Sequence, residues 1–326
     1  MNLAPGTEHP FAEFIRILGK GKRGARHLTR EEAARAMTMM LDGAVEPAQL
    51  GAFLMLLRHK EESADELTGF TEAARRHVCT AAIDVDLDWP TYAGKKRHLP
   101  WYLLAAKALA ASGVRIFMHG AGAHTAGRLY SEMLLERLGI TACEDWQAVG
   151  LALEQSNLAY SYLGHWAPEL QRMIELRSLM GLRSPIHTLA RLLNPLSAQC
   201  VLQGIFHPGY QVVHQQASHS LGDTTVVIKG EGGEFEVRPD GPCLLLGSGP
   251  DKWEETWAAR LPQRQVKPAH LAPDHLCKVW NGDASDPYGE QAVIVTMAAA
   301  LRGLGMSHNE ALEEAARRWE QRHVSR

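Results

Sequence analysis

Cysteine is sparse in this chain. The five cysteines among 326 residues, Cys79, Cys143, Cys200, Cys243 and Cys277, form neither a Cys-x-x-Cys pair nor a Cys/His cluster of metal-ligand spacing. A zinc site of the usual kind is not encoded, and the thiols read as reduced and mostly packed. Sixteen histidines are equally dispersed, with no His-Glu-x-x-His and no His-x-His, so no metal centre is expected from them. Net positive charge is missing as well. The 34 lysines and arginines against 37 acids leave a formal charge of -3, so no global field announces a polyanionic partner. Any such partner has to be read from local clusters. The opening MNLAPGTEHPFAEF lacks the basic start and apolar core of a signal peptide, and later apolar stretches are broken short of a membrane span. A cytoplasmic protein is expected. There is no internal repeat and no low-complexity tract.

What is present divides into two kinds of pattern. From Phe11 to about Arg76 only the helical period fits. Thr29 followed by Glu32 forms a capping box, starting a helix that runs to Leu41 and stops near Gly43. Val45 and Pro47 restart a second, with Leu50, Phe53, Leu54 and Leu57 on one face, and Ser63 with Glu66 begins a third. Beyond Cys79, β-prone runs such as VRIFMHG (Val114 to Gly120) and TTVVIKG (Thr224 to Gly230) alternate with helical stretches such as LYSEMLLERLG (Leu129 to Gly139). Alternation of this kind predicts a mostly parallel sheet with helices on its faces. A further helical patch spans Ala167 to Leu193, and RLPQRQVKPAHLAPDH is the most loop-like segment.

Several strings carry a resemblance: GAFLMLLRHKEESADELTGF (Gly51 to Phe70), MHGAG (Met118 to Gly122), LLERLGI (Leu134 to Ile140) and ELRSLMGLRSPIHTLARLLNPL (Glu175 to Leu196). Together they resemble the anthranilate phosphoribosyltransferase family of glycosyltransferase family 3, in particular its divergent YbiB-type branch. The resemblance implies an α/β fold of the nucleoside phosphorylase/phosphoribosyltransferase kind. In it a small all-helical N-terminal domain, residues 1–78 completed by helices from about 165–195, packs on a larger α/β domain, residues 79–326, with a mostly parallel central sheet. Ligands of that family sit in the cleft between the two.

The same resemblance exposes departures. The family holds pyrophosphate, ribose and Mg²⁺ with a GTGGD loop and a TFNIST turn, because backbone N–H groups must approach phosphate closely. Here that stretch reads TYAGKKRHLPWYLL, in which only Gly94 survives. Lys95 replaces the aspartate, Trp101 the asparagine, and Leu103 and Leu104 the hydroxyls. The family's KHGN appears as Met118, His119, Gly120 and Ala121. Its metal-binding Asp-Glu pair appears as Glu234 and Phe235, with Glu236 one residue further. These positions form a degenerate former active site. Arg177 matches the arginine that contacts the anthranilate carboxylate in the enzymes, and a guanidinium fork suits carboxylate or phosphate.

Basic clusters complete the reading. Lys95, Lys96 and Arg97 stand where the family places its phosphate loop, with no acid between Asp88 and Glu132. Lys20, Lys22 and Arg23 fall in a glycine-interrupted run, and Arg172, Arg177, Arg183 and Arg191 form a third group that cannot share one helical face. Tyr92 and Trp101 flank the central run, where bases could stack on them. The expectation that follows is a non-catalytic nucleic-acid-binding protein, DNA or RNA, contacting phosphates through Lys95, Lys96, Arg97, Lys20, Lys22, Arg23 and Arg177. It would need no cofactor, lack phosphoribosyltransferase activity and form a homodimer through the N-terminal helices. The alternative is an active phosphoribosyltransferase using PRPP with Mg²⁺ at Glu234 and Glu236 and an aromatic or nucleobase-like acceptor. A pure interaction protein is the third reading.

Overall fold

A computed structural model describes residues 7–78, 80–268 and 270–323; Cys79 lies outside the described residues. Four helices open the fold: α1 (Ala12–Gly19), α2 (Arg30–Leu41), α3 (Pro47–Lys60) and α4 (Ala64–His77). Their limits are set by side-chain chemistry. Thr29 Oγ1 accepts from the Glu32 N–H at 3.2 Å while Glu32 returns a carboxylate to the Thr29 N–H at 2.9 Å. Ser63 and Glu66 repeat the device at the start of α4. Phe53, Leu54 and Leu57 turn inward from α3 to meet Phe11, Phe14 and Phe70, while Leu50 is only half-buried.

β1 (Leu87–Pro90), α5 (Tyr102–Ala111), β2 (Ile116–Gly120), α6 (Leu135–Leu138), β3 (Thr141–Cys143), α7 (Trp146–Ser156) and β4 (Leu158–Tyr162) follow. Next come the short helices α8 (Leu163–Trp166), α9 (Pro168–Glu175), α10 (Arg177–Met180) and α11 (Ile186–Leu189). The chain then returns through β5 (Cys200–Ile205), α12 (Gly209–Leu221), β6 (Thr225–Lys229), β7 (Cys243–Ser248), β8 (Trp253–Trp257), α13 (Asp274–Asn281), α14 (Pro287–Gly303) and α15 (His308–Glu320). One eight-stranded sheet runs in the order β3-β4-β2-β1-β5-β6-β7-β8, parallel through β6 and antiparallel for the last two strands. Successive side chains alternate between faces: Ile116, Met118, Val226 and Ile228 pack under α5 and α14, whereas Phe117 meets α7 and Val227 faces α12.

The mid-chain helices do not belong to that sheet's core. Leu163, Trp166, Leu170, Ile174, Ile186 and Leu189 join Phe53 and Phe70 in the helical domain's core, and so do Tyr92 and Ala121 from the ends of β1 and β2. The two domains thus share side chains at the cleft.

Two helical expectations shorten. Between Leu129 and Gly139 only a single 3₁₀ turn and α6 form, because Leu129 exchanges backbone hydrogen bonds with Lys95, 2.8 Å each way, and Gly139 at φ 63° ends the helix. The Ala167–Leu193 patch is broken at Leu176, between α9 and α10, and again from Gly181 at φ 72° to Pro185, between α10 and α11. Among the described residues Cys143, Cys200 and Cys243 are buried, Cys277 is half-buried, and all four are free thiols. No described helix is long and apolar enough to cross a membrane.

The tightest helix crossing sets a test. A Cβ on Gly69 of α4 would lie 2.1 Å from the Arg30 carbonyl oxygen of α2. On an exposed helix, Gly→Ala gains up to about 1 kcal/mol; here Gly69→Ala is expected to lose about 1–3 kcal/mol by overpacking. Urea unfolding should show a lower midpoint at unchanged slope, and a raised midpoint would show that the helices can separate freely.

Candidate functional site

The carboxyl ends of β1, β2, β5 and β6 open beneath the helical domain, where open parallel sheets place their ligands. The loop after β1 is pinned at once, since the Thr91 N–H donates to His119 O at 2.7 Å. It then turns at Gly94, φ 68°, where a Cβ would press against the Tyr130 ring at 3.0 Å. The Ala93 and Gly94 N–H groups both donate to Glu234 Oε1, at 2.7 and 2.5 Å. Glu234 arrives on the turn after β6, and that turn needs glycine: a Cβ on Gly230 would sit 1.6 Å from Glu234 O.

Two residues on, Glu236 accepts from Lys95 Nζ at 2.5 Å and from the Tyr102 N–H at 2.9 Å. The Tyr102 N–H belongs to the first turn of α5, where an anion meets the positive end of the helix dipole. Lys95 also donates to Glu231 O at 3.1 Å, and its side chain is fully buried. Burial pushes both carboxyls upward. For Glu234, Arg191 and the two N–H groups oppose it, and for Glu236, Lys95 does.

Below the loop, His119 Nε2 lies 3.2 Å from Asp88 Oδ2 and its Nδ1 lies 2.6 Å from Tyr92 Oη. A carboxylate only accepts, so Nε2 carries the proton and Nδ1 accepts from the tyrosine. Arg191 stands over the Tyr92 ring, 6.0 Å from its centroid. On the other side of the loop a cavity of about 250 Å³ opens, lined among others by Arg58, Arg128, Arg183 and Arg191.

The expected phosphate contacts do not form one track. Lys95 is walled inside the α/β domain by its pairing with Glu236; Lys96 and Arg97 are exposed beside it. Lys20, Lys22 and Arg23 are exposed in the α1–α2 connection, which folds back on α1 through the Arg26 N–H to Ile17 O. Arg177 is half-buried, gives Nη1 to His124 O at 2.7 Å and leaves Nε buried without a partner among the described residues. Tyr92 and Trp101 are core residues, as are Leu103, Leu104, Met118, Ala121 and Phe235, so no base can stack on the two aromatics. Of the cavity's arginines, Arg183 and Arg191 were visible as a cluster in the sequence. Arg128 stands alone there, and Arg58 falls in the run Arg58-His59-Lys60 at the end of α3, away from the other basic clusters.

A family model described as "Glycosyl transferase family, helical bundle domain" matches residues 12–78. The chain is 32% identical over 311 residues to anthranilate phosphoribosyltransferase of Methylobacterium nodulans, covering 91% of this chain and 90% of that one. It is 28% identical over 235 residues to the uncharacterised protein YbiB of Escherichia coli, covering 70% and 73%. Among solved structures it resembles anthranilate phosphoribosyltransferase from Thermus thermophilus, with TM-score 0.78, 22% identity and 98% and 97% coverage. The Saccharomyces cerevisiae enzyme in complex with PRPP and Mg gives TM-score 0.72 at 16% identity, with 98% of each chain covered.

Two expectations are thereby corrected. The non-catalytic nucleic-acid reading is overturned, because the 32% identical relative that covers 91% of the chain is a phosphoribosyltransferase and because Lys95, its central contact, is spent inside an ion pair. The expectation of no cofactor is overturned by the solved relative that holds PRPP and Mg.

At the cavity wall, His214 turns inward from α12 with Nδ1 2.8 Å from Gln203 Oε1, and burial pushes it down to about 3. An unfolded histidine titrates near 6.5. Below that pH the unfolded chain holds a proton that the native one refuses. The contribution of His214 is therefore complete above about pH 6.5 and is lost on acidification at about 1.4 kcal/mol per pH unit. His214→Asn, which keeps an N–H toward Gln203, should flatten the decline in urea stability between pH 6.5 and 4.5 by about one proton. Equal slopes in the two proteins would refute this.

Proposed function

The chain belongs to the anthranilate phosphoribosyltransferase family, and on that premise we propose that it is a phosphoribosyltransferase, moving phosphoribose from PRPP to an aromatic or nucleobase-like acceptor in the interdomain cleft. One observation carries this reading. The cleft of a chain 32% identical to such an enzyme keeps unpartnered buried polar atoms of both charges: Arg177 Nε, Glu234 Oε2 and Glu132 Oε1. Groups of this kind cost free energy unless a ligand meets them.

The acids present fit Mg²⁺ in the manner it prefers. Mg²⁺ is commonly held by one or two carboxylates together with substrate phosphates, without a cage of protein ligands. Glu234 Oε2 and Glu132 Oε1 are the free oxygens; Glu236 is committed to Lys95 and α5. When bound, the ion supplies charge neutralisation on the departing pyrophosphate. Arg177 orients an acceptor carboxylate or carbonyl through its fork. Ala93 and Gly94, tied to Glu234, hold that carboxylate at one place, and the Tyr92–His119–Asp88 chain fixes the floor beneath it. In the transfer itself, the bond from the anomeric carbon to pyrophosphate breaks with its electrons leaving on pyrophosphate. The acceptor nitrogen bonds to that carbon and releases its proton to water.

The purified protein with PRPP, Mg²⁺ and a panel of aromatic amines and nucleobases should release pyrophosphate and yield a phosphoribosylated product by mass spectrometry. Turnover on the order of 1 per second or more is expected. Arg177→Ala should raise the acceptor's KM by roughly tenfold with a smaller change in kcat, since it removes a hydrogen bond to a charged group. No product with any acceptor would sink the proposal. Self-association is proposed alongside: Ile15, Ile17, Leu50, Met55 and Leu56 on α1 and α3 are only partly buried, a surface suited to isologous pairing. Sedimentation should give a dimer at micromolar concentration, and a monomer there would contradict it.

A further inference from the structure

The family's phosphate loop is filled in this chain by the protein's own groups. The Ala93 and Gly94 N–H pair faces Glu234, the first turn of α5 faces Glu236, and the positions of the hydroxyl-bearing turn are core leucines. A phosphorylated ligand needs donors from elsewhere. We propose that the cavity walled by Arg58, Arg128, Arg183 and Arg191 is a binding site for a small phosphoanion, a diphosphate or phosphomonoester.

Four guanidiniums converge there and, among the described residues, none of the four forms a salt bridge. Arg128 gives Nη1 to the Ala93 and Gly94 carbonyls at 3.1 and 2.9 Å. Arg183 gives Nη2 to the Ala93 carbonyl at 3.1 Å. Arg191 gives Nε to Gly204 O at 2.9 Å and Nη1 to His187 O. Every one of these acceptors is a neutral carbonyl, so the cationic charge stays uncompensated by direct pairing. Two further polar atoms of the cavity wall, Ser184 Oγ and His187 Nε2, are buried without a hydrogen-bond partner among the described residues. Their residues are 4% and 3% exposed. Unpartnered polar atoms beside unpaired guanidiniums are the signature of a ligand site and an expensive arrangement for a core.

The acids that face the cluster are Glu234, close to Arg191, and Glu62, close to Arg58, and among the described residues neither forms a salt bridge with a guanidinium of the cavity. Burial and the neighbouring Arg191 push Arg183 down, to about 10, as expected where cations crowd without a counterion. A monocarboxylate would balance little of this charge, whereas a phosphate dianion or diphosphate matches it and accepts bidentate bonds from several forks. The volume of about 250 Å³ lies just under the roughly 300–1,000 Å³ of drug-sized ligand sites, which suits a phosphorylated small molecule.

The identity of PRPP as the physiological ligand rests on the transferase reading; the phosphoanion site does not. Calorimetry on the full chain uses inorganic pyrophosphate, ribose 5-phosphate, citrate and heparin as probes. Pyrophosphate and ribose 5-phosphate should bind, and citrate should bind more weakly. Arg58→Gln, at a half-exposed position with no hydrogen bond or ion pair among the described residues, should weaken pyrophosphate roughly tenfold. Arg183→Gln should do so at least as strongly, with the melting temperature without ligand checking that each variant is folded. Ser184→Ala serves as a second probe should Arg183→Gln fail to fold. No binding of either phosphate probe, unchanged affinity in folded Arg58→Gln and Ser184→Ala, or binding of heparin alone would overturn the proposal. Phosphate binding lost in the variants, with no transfer product from the parent, would leave this site standing and sink only the transferase reading. Transfer product from the parent, with pyrophosphate affinity unchanged in the folded variants, would do the reverse.

Discussion

Two buried carboxylates organise the cleft. Glu234 takes the N–H groups of Ala93 and Gly94, and Glu236 takes Lys95 and the first turn of α5. Remove either and the loop after β1 loses its partners in a place water does not reach; breaking a buried pair costs about 3–5 kcal/mol. Much of the surrounding sequence serves this junction. Gly204 and Gly230 leave room for the Glu234 backbone, where any Cβ would come within 2.2 and 1.6 Å of it. Leu129 ties the loop from outside, at the expense of the helix its own segment would otherwise form.

The loop is polarised as a result. Its N–H groups point toward Glu234 while the carbonyls of the same two residues point toward Arg128 and Arg183. One peptide group, that joining Ala93 to Gly94, therefore stands between an acidic and a basic compartment, its N–H on Glu234 and its carbonyl on Arg128 and Arg183. Anything that pulls Glu234, whether a metal ion or a proton, is felt by the arginines through that peptide dipole. Charge in the basic compartment acts back in the same way, and Arg191 is close enough to Glu234 to favour its ionised form.

Much of the fold was legible in the sequence because its signals are local. The capping boxes at Thr29 and Ser63 and the strands around Met118 and Val227 follow from neighbours a few residues apart. The segment after Leu129 was misjudged because a backbone pairing with Lys95, far away in the chain, outweighed its helical period. The site failed for the same reason on a larger scale. Lys95 stands in a run with no nearby acid, yet its acid is Glu236, delivered by the glycine turn after β6. Counting charges along the chain made Lys95 a surface contact when it is the interior half of an ion pair. Conversely, Arg128 has no basic neighbour to mark it and Arg58 lies in the short run Arg58-His59-Lys60 at the end of α3, and only the packing of α3 and the β2 loop around the end of β5 brings them to Arg183 and Arg191. Trp101, Leu103 and Met118, where the sequence departs from the family's motifs, are core side chains. What they could not reveal was a second set of donors on the other side of the loop.

The central claim is that phosphate in this cleft is met by arginine side chains, with the loop N–H groups kept by Glu234. A crystal structure of the protein with PRPP and Mg²⁺ tests it most directly. The account predicts phosphate density within hydrogen-bond reach of Arg183 and Arg191, with Glu234 Oε1 still on the Ala93 and Gly94 N–H groups. Phosphate on those N–H groups, with Glu234 displaced and the arginine cavity empty, would contradict it.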